Sequence, residues 1–179
     1  MNDNRRGIWG AVCVAALLGL SLSGRASAQD EGDMGIAIGA TPPAVTIEDL
    51  DGHPADLSGL VGKRPVLIEF WATWCPLCAA LMPRLDSAYA RHHADVAFVA
   101  IAVAVNESPA AVKRHLAKQP IPFTFLWDAN GGAVRAFQAP STSYVVLLDA
   151  SGKVAYTGVG ADQDIEAALQ SVVGDGRRR

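Results

Sequence analysis

The sequence predicts an α/β fold in three layers, a mixed central sheet with helices on both faces, and three observations carry that prediction. Residues 65–71 and 96–105 are near-continuous apolar runs, the pattern of strands buried on both sides. Each is followed by a segment of helical spacing, 76–92 and 109–118, so the chain alternates βαβ. Farther on, strand-like runs at 143–148 and 154–159 flank Asp149-Ala150-Ser151-Gly152, a hairpin connection, and a helix over 162–173 closes the domain.

In chain order, residues 29–39 are rich in Gly, Asp and Glu and read as a mobile lead-in to a domain spanning 40–174. Residues 44–50 alternate like a strand and end on Asp51-Gly52, a hairpin signal. In the helix over 76–92, Leu81, Leu85 and Ala88 share one face, and Pro83 is expected to kink it. Ser108 caps the next helix, with Pro109 at its first position. A short strand over 122–127 and a short helix over 131–137 follow. Residues 175–179 are expected to be a disordered basic tail ending in Arg177-Arg178-Arg179.

The first 28 residues read as an export signal. Arg5 and Arg6 precede an uncharged stretch over 8–22, and Ala26-Ser27-Ala28 supplies a small-x-small cleavage site. The stretch is shorter than the roughly 20 residues of a membrane-spanning helix, although a retained N-terminal anchor is the alternative. Cleavage removes three Arg and one Asp, moves the formal charge from −3 to −5, and leaves 151 residues, enough for one domain. An acidic chain with no basic stripe excludes nucleic acid as the expected partner. Cys13 leaves with the signal, so the mature chain keeps only Cys75 and Cys78.

Those two cysteines lie in Phe70-Trp71-Ala72-Thr73-Trp74-Cys75-Pro76-Leu77-Cys78, directly after an apolar strand and at the start of a helix. Free N–H groups and the positive end of the helix dipole favour a thiolate there. One helical turn also separates residues i and i+3 by roughly 5–6 Å, within reach of a disulfide. A loop this short does little to staple a fold, so the pair reads as a reversible two-electron switch. Pro76 stiffens the turn while removing one N–H, and Leu77 completes the intervening pair that tunes redox poise.

This order of elements, with Trp-Cys-x-x-Cys after the first buried strand, resembles the thioredoxin superfamily, and most closely the exported TlpA/ResA-type thiol–disulfide oxidoreductases. The likeness covers residues 38–173 and includes the Asp-Gly hairpin and the extra segment 123–137. It implies a thioredoxin-like three-layer fold with Cys75 as nucleophile and Cys78 as resolver of the mixed disulfide. It also implies protein disulfide or dithiol clients such as apocytochrome c, a membrane-bound electron donor, no cofactor, and a monomer in the periplasm or cell envelope.

Several positions refine the resemblance. Glu69, six residues before Cys75, sits where thioredoxin has a buried acid; proton exchange with Cys78 or a structural pairing would each account for it. The family places a cis-proline beside the disulfide. Spacing back from Asp149 lands on Ser143, and Pro140 is the nearby proline expected to serve. Ser143 in that place would carry a trans bond. Trp71 is expected in the core and Trp74 partly exposed beside Cys75, as a docking surface or by packing alone; Thr73 is expected to hydrogen-bond near Cys75 or to serve the turn alone.

Rival chemistries fail on spacing. Zinc would need a second ligand pair, and covalent haem attachment needs His where Ala79 stands. A peroxiredoxin pocket needs Pro where Ile68 stands. His53, His92, His93 and His115 are scattered and lie outside the motif. The alternative function is a thiol-based copper or client carrier without redox turnover.

Overall fold

A computed structural model describes residues 34–176. The signal-like segment 1–28 with Cys13, residues 29–33, and the 177–179 end of the basic tail lie outside the described residues. The elements are β1 (Thr46–Asp49), β2 (Pro54–Asp56), a single 3-10 turn at Leu57–Gly59, β3 (Val66–Trp71), α1 (Pro76–His92), β4 (Ala97–Val103) and α2 (Pro109–Lys118). They continue with β5 (Thr124–Asp128), α3 (Gly132–Ala136), β6 (Tyr144–Leu148), β7 (Val154–Val159) and α4 (Ile165–Gly176).

The seven strands form one sheet in the order β2-β1-β5-β4-β3-β6-β7. β3, β4 and β5 are parallel, while β1, β2, β6 and β7 add antiparallel pairs at the two sides. The central strands β3 and β4 are buried along their whole length, as their unbroken apolar runs require. One face packs Leu67, Phe98, Val145 and Leu147 against Leu81, Leu85 and Ala88 of α1 and Ile165, Ala168 and Leu169 of α4. The other packs Ile68, Phe70, Val99 and Val146 with Val112 of α2 and Ala133 of α3. The three layers expected from the sequence are thus present.

Local chemistry sets most of the boundaries. Asp49 Oδ1 accepts the amides of Asp51 and His53, closing the first hairpin. Ser108 Oγ accepts the Ala111 amide and caps α2. Helix α1 runs continuously through Pro83. The last helix begins later than the spacing suggests, because Asp164 is its cap, with Oδ1 accepting Ala167 N–H at 3.0 Å. Asp162 and Gln163 therefore precede it.

The lead-in also differs from expectation. Ile36 is buried, its N–H donates to the Tyr144 hydroxyl at 3.1 Å, and Gly39 N–H donates to Val154 O at 2.7 Å. Residues 36–40 are therefore fastened to the sheet. Gly35 permits this approach: a Cβ there would lie 2.0 Å from the Tyr144 hydroxyl oxygen, and its φ is +104°.

Candidate active site

The redox pair sits where β3 gives way to α1. Cys75 is the N-cap residue of α1 with extended backbone (φ −85°, ψ 109°), and Pro76 occupies the first helical position. Cys75 and Cys78 are joined by a disulfide with Cα atoms 5.3 Å apart. The Cys78 amide donates to Cys75 Sγ at 3.0 Å, so the sulfur takes the place of a capping oxygen. A thiolate formed at Cys75 would inherit this N–H and the positive end of a helix of 17 residues. Both cysteines are buried, whereas Pro76 and Leu77 between them are exposed.

Glu69 lies at the centre of β3, paired with Ala100 of β4 and Val145 of β6. Strand alternation puts it on the face of Leu67, the face that α1 covers with Leu81 and Leu85. Cys78 shares the buried side of α1 with those leucines. The Glu69 side chain has no solvent exposure, and neither carboxyl oxygen has a hydrogen-bond partner. Burial pushes its carboxyl up to about 8, so it is protonated at neutral pH. No pairing accounts for the acid: this is an uncharged, unpartnered carboxyl between the sheet and the cysteine-bearing helix.

The flanking tryptophans divide as expected. Trp71 is in the core, its ring 5.5 Å from Phe125 and 5.7 Å from His115. Trp74 is exposed, and its indole Nε1–H donates to Val105 O at 2.9 Å. The backbone amide of Thr73 donates to Glu107 Oε2 at 2.7 Å. The histidines serve elsewhere: His53 pairs with Asp49, His92 with Glu166, and His93 stacks on Tyr89.

The expected cis-proline loop is not found. Among the described residues there is no cis peptide bond, and Pro140 is trans and exposed. Ser143 occupies the junction instead. Its N–H donates to Phe70 O at 2.8 Å, at the end of β3 from which the cysteine turn leaves, and its φ is +58°. Proline fixes φ near −65° and has no N–H, so it fits neither feature. A buried polar knot holds this turn: Ser143 Oγ donates to Gly160 O, while Gln163 Nε2 donates to both Ser143 O and Gly160 O. Tyr156 O–H completes it by donating to Gln163 Oε1. Gln163 was not legible as part of the site; Glu107 and Val105 were missed too, for their link to the motif spans more than 30 residues.

A protein-family model described as Redoxin matches residues 37–172. The chain belongs to the Redoxin family. This redoxin is 30% identical over 139 residues to the thiol-disulfide oxidoreductase ResA of Geobacillus kaustophilus, covering 76% of this chain and 79% of that one. It is 32% identical over 142 residues to the soluble secreted antigen MPT53 of Mycobacterium bovis, covering 79% and 74%. Among solved structures it is similar to a secreted Mycobacterium tuberculosis disulfide oxidoreductase homologous to E. coli DsbE. That match has a TM-score of 0.60 at 29% identity, over 73% of this chain and 95% of that one. With a disulfide at the helix mouth, the redoxin is a thioredoxin-like protein-disulfide oxidoreductase of the TlpA/ResA type, acting on protein thiols.

Proposed function

We infer that this protein is an exported reductase of disulfides in other envelope proteins. The observation that carries the reading is the Cys75–Cys78 disulfide at the mouth of α1, with the protonated Glu69 carboxyl on the sheet face beneath that helix. In the reduced protein, Cys75 thiolate attacks a client disulfide, forms a mixed disulfide and expels one client thiolate. Glu69, left as carboxylate when it gave its proton to Cys78 during reduction of the pair, takes that proton back. The Cys78 thiolate then attacks Cys75 Sγ, expels the second client thiolate and closes Cys75–Cys78, so two electrons have passed to the client. On re-reduction Glu69 returns that proton to Cys78. A carboxyl held up to about 8 lies close to neutral pH, so it can both take and give a proton during turnover.

The donors at Cys75 support the reducing direction. Pro76 offers no amide, and Cys78 N–H is the hydrogen bond the sulfur receives. With Pro76 removing one amide, the Cys75 thiolate is stabilised less than at a helix start with all its N–H groups free, which makes the dithiol a better reductant. An exported compartment is oxidising, so a membrane-bound donor must reset the pair. Clients are proteins with a cysteine pair, apocytochrome c among them by resemblance. They meet the exposed Trp74, Pro76 and Leu77 around the disulfide. The export signal supports an envelope location, and two of the relatives are described as secreted. No helix among the described residues is long and apolar enough to cross a membrane.

Glu69→Gln tests this reading against a carrier that merely ligates through its thiols. Turnover of a protein disulfide should fall about a hundredfold, the lower range for a general acid–base group. Unchanged turnover would remove Glu69 from the mechanism.

A further inference from the structure

The turn that carries Cys75 is held from outside by one neighbouring loop. Cys75 N–H donates to Ala72 O at 3.1 Å, closing a β-turn whose middle residues are Thr73 and Trp74. In such a turn the amide of the second residue finds no partner within the turn, and it must be satisfied elsewhere. Here Thr73 N–H donates to Glu107 Oε2 at 2.7 Å, and the other carboxylate oxygen accepts Ser108 N–H at 3.1 Å. The adjacent Trp74 indole donates to Val105 O at 2.9 Å. Two tethers therefore run from consecutive residues of the redox turn to residues 105 and 107. Asn106 between them has left-handed backbone (φ 50°), which turns the Val105 carbonyl and the Glu107 carboxylate toward the same target.

The second tether holds the Trp74 indole by its N–H edge while the residue stays exposed. Trp74, Leu77 and Val105 are 47%, 50% and 60% exposed. Among the described residues, they are three of the five large apolar side chains that are exposed. Trp74 and Leu77 lie within two residues of Cys75, and Val105 is bonded to Trp74. A protein client must bring a sulfur to Cys75, so the residues beside its cysteine are carried onto this apolar surface.

We propose that Glu107 is a positioning residue for exchange with protein clients. Its carboxylate locks the Thr73–Trp74 turn, so that Trp74, Leu77 and Val105 form a preset platform for an apolar side chain flanking the client's reactive cysteine. The occupant is an extended client segment. No electron or proton passes through Glu107, and the exchange itself remains that of Cys75 and Cys78. The inference rests on the oxidoreductase reading and adds to it a determinant of client choice. A small disulfide has nothing to lay on the platform, so its reaction depends on Cys75 alone.

The test compares two substrates, insulin and hydroxyethyl disulfide, on wild type, Glu107→Ala and Glu107→Gln, together with thermal unfolding and the midpoint potential. Glu107→Ala should lose about tenfold in kcat/KM on insulin, mostly in KM, the scale of a lost hydrogen bond to a charged group. Its rate on hydroxyethyl disulfide and its potential should match wild type. Glu107→Gln keeps one acceptor oxygen but turns an N–H toward the second amide, so it should recover part of the insulin rate. It also carries the test if the Ala variant does not fold; Ser108 still caps α2 in both variants. An equal loss on both substrates, a shifted potential with an unchanged substrate ratio, or an unaffected insulin rate would overturn the inference. Failure of wild type on both substrates would instead overturn the oxidoreductase reading.

Discussion

Glu69→Gln should abolish a specific pH dependence of stability. The wild-type carboxyl is buried without a partner and held up to about 8, against an ordinary value of 4.5. Between those values the folded protein keeps a proton that the unfolded chain has released. Stability therefore falls as pH rises. Below 4.5 both states are neutral and the penalty is absent; above 8 both are ionised and it is fully developed. At about 1.4 kcal/mol per unit, the penalty is about 3 kcal/mol at pH 7 and grows little beyond pH 8. Gln has the shape of the acid and no charge, so the stability of Glu69→Gln relative to wild type should rise by about 3 kcal/mol between pH 5 and 8. Urea unfolding of the two oxidised proteins at one-unit steps, with unchanged m-values, measures this. The comparison cancels other titrations, including that of Glu166. The hydrogen bond from His92 holds Glu166 down to about 2 from an ordinary 4.5, so its own contribution is lost as pH falls between those values, below the range compared. A difference independent of pH would refute the reasoning, because it would mean the carboxyl shares its protonation with the unfolded chain. Proton exchange with Cys78 would then lose its basis.

Two further outcomes follow from the same geometry. Cys78→Ser leaves the nucleophile without a resolver, so a reduced sample given a disulfide client should accumulate a Cys75–client adduct visible by non-reducing gel and by mass, and absence of the adduct would reassign the nucleophile. Gly158→Ala would place a methyl 2.3 Å from the Tyr156 hydroxyl and 2.5 Å from Gln163 Oε1, breaking the knot at Ser143, with an expected loss of about 1–3 kcal/mol in urea unfolding; wild-type stability would show that the knot can rearrange at no cost.

What the sequence made legible was whatever local chemistry decides. Helix α1 begins and ends at the residues expected because Cys75 and Pro76 start it, and its apolar face repeats with Leu81, Leu85 and Ala88. The buried β3 and β4 announced themselves as apolar runs, and α2 carried its own cap in Ser108. The three-residue β2 with Pro54 at the sheet edge gave no such signal, being short and polar. At the site, the cysteines and the buried acid were readable because each violates the pattern around it. Glu107 was not, since an acidic residue in an exposed loop looks ordinary until its amide partner 34 residues away is known. The cis-proline expected at Pro140 failed for a similar reason: the turn is held by Gln163, which lies 20 residues beyond Ser143 and has no spacing rule to betray it.

Equilibration of the purified protein in thiol–disulfide buffers, with the Cys75–Cys78 state followed by alkylation and mass, is the measurement that bears most directly on the central claim. The account predicts a single two-electron transition with a midpoint below about −250 mV, the range of a reductant such as thioredoxin. A midpoint near −120 mV would make the protein an oxidant, and a pair that does not titrate at all would contradict the redox function itself.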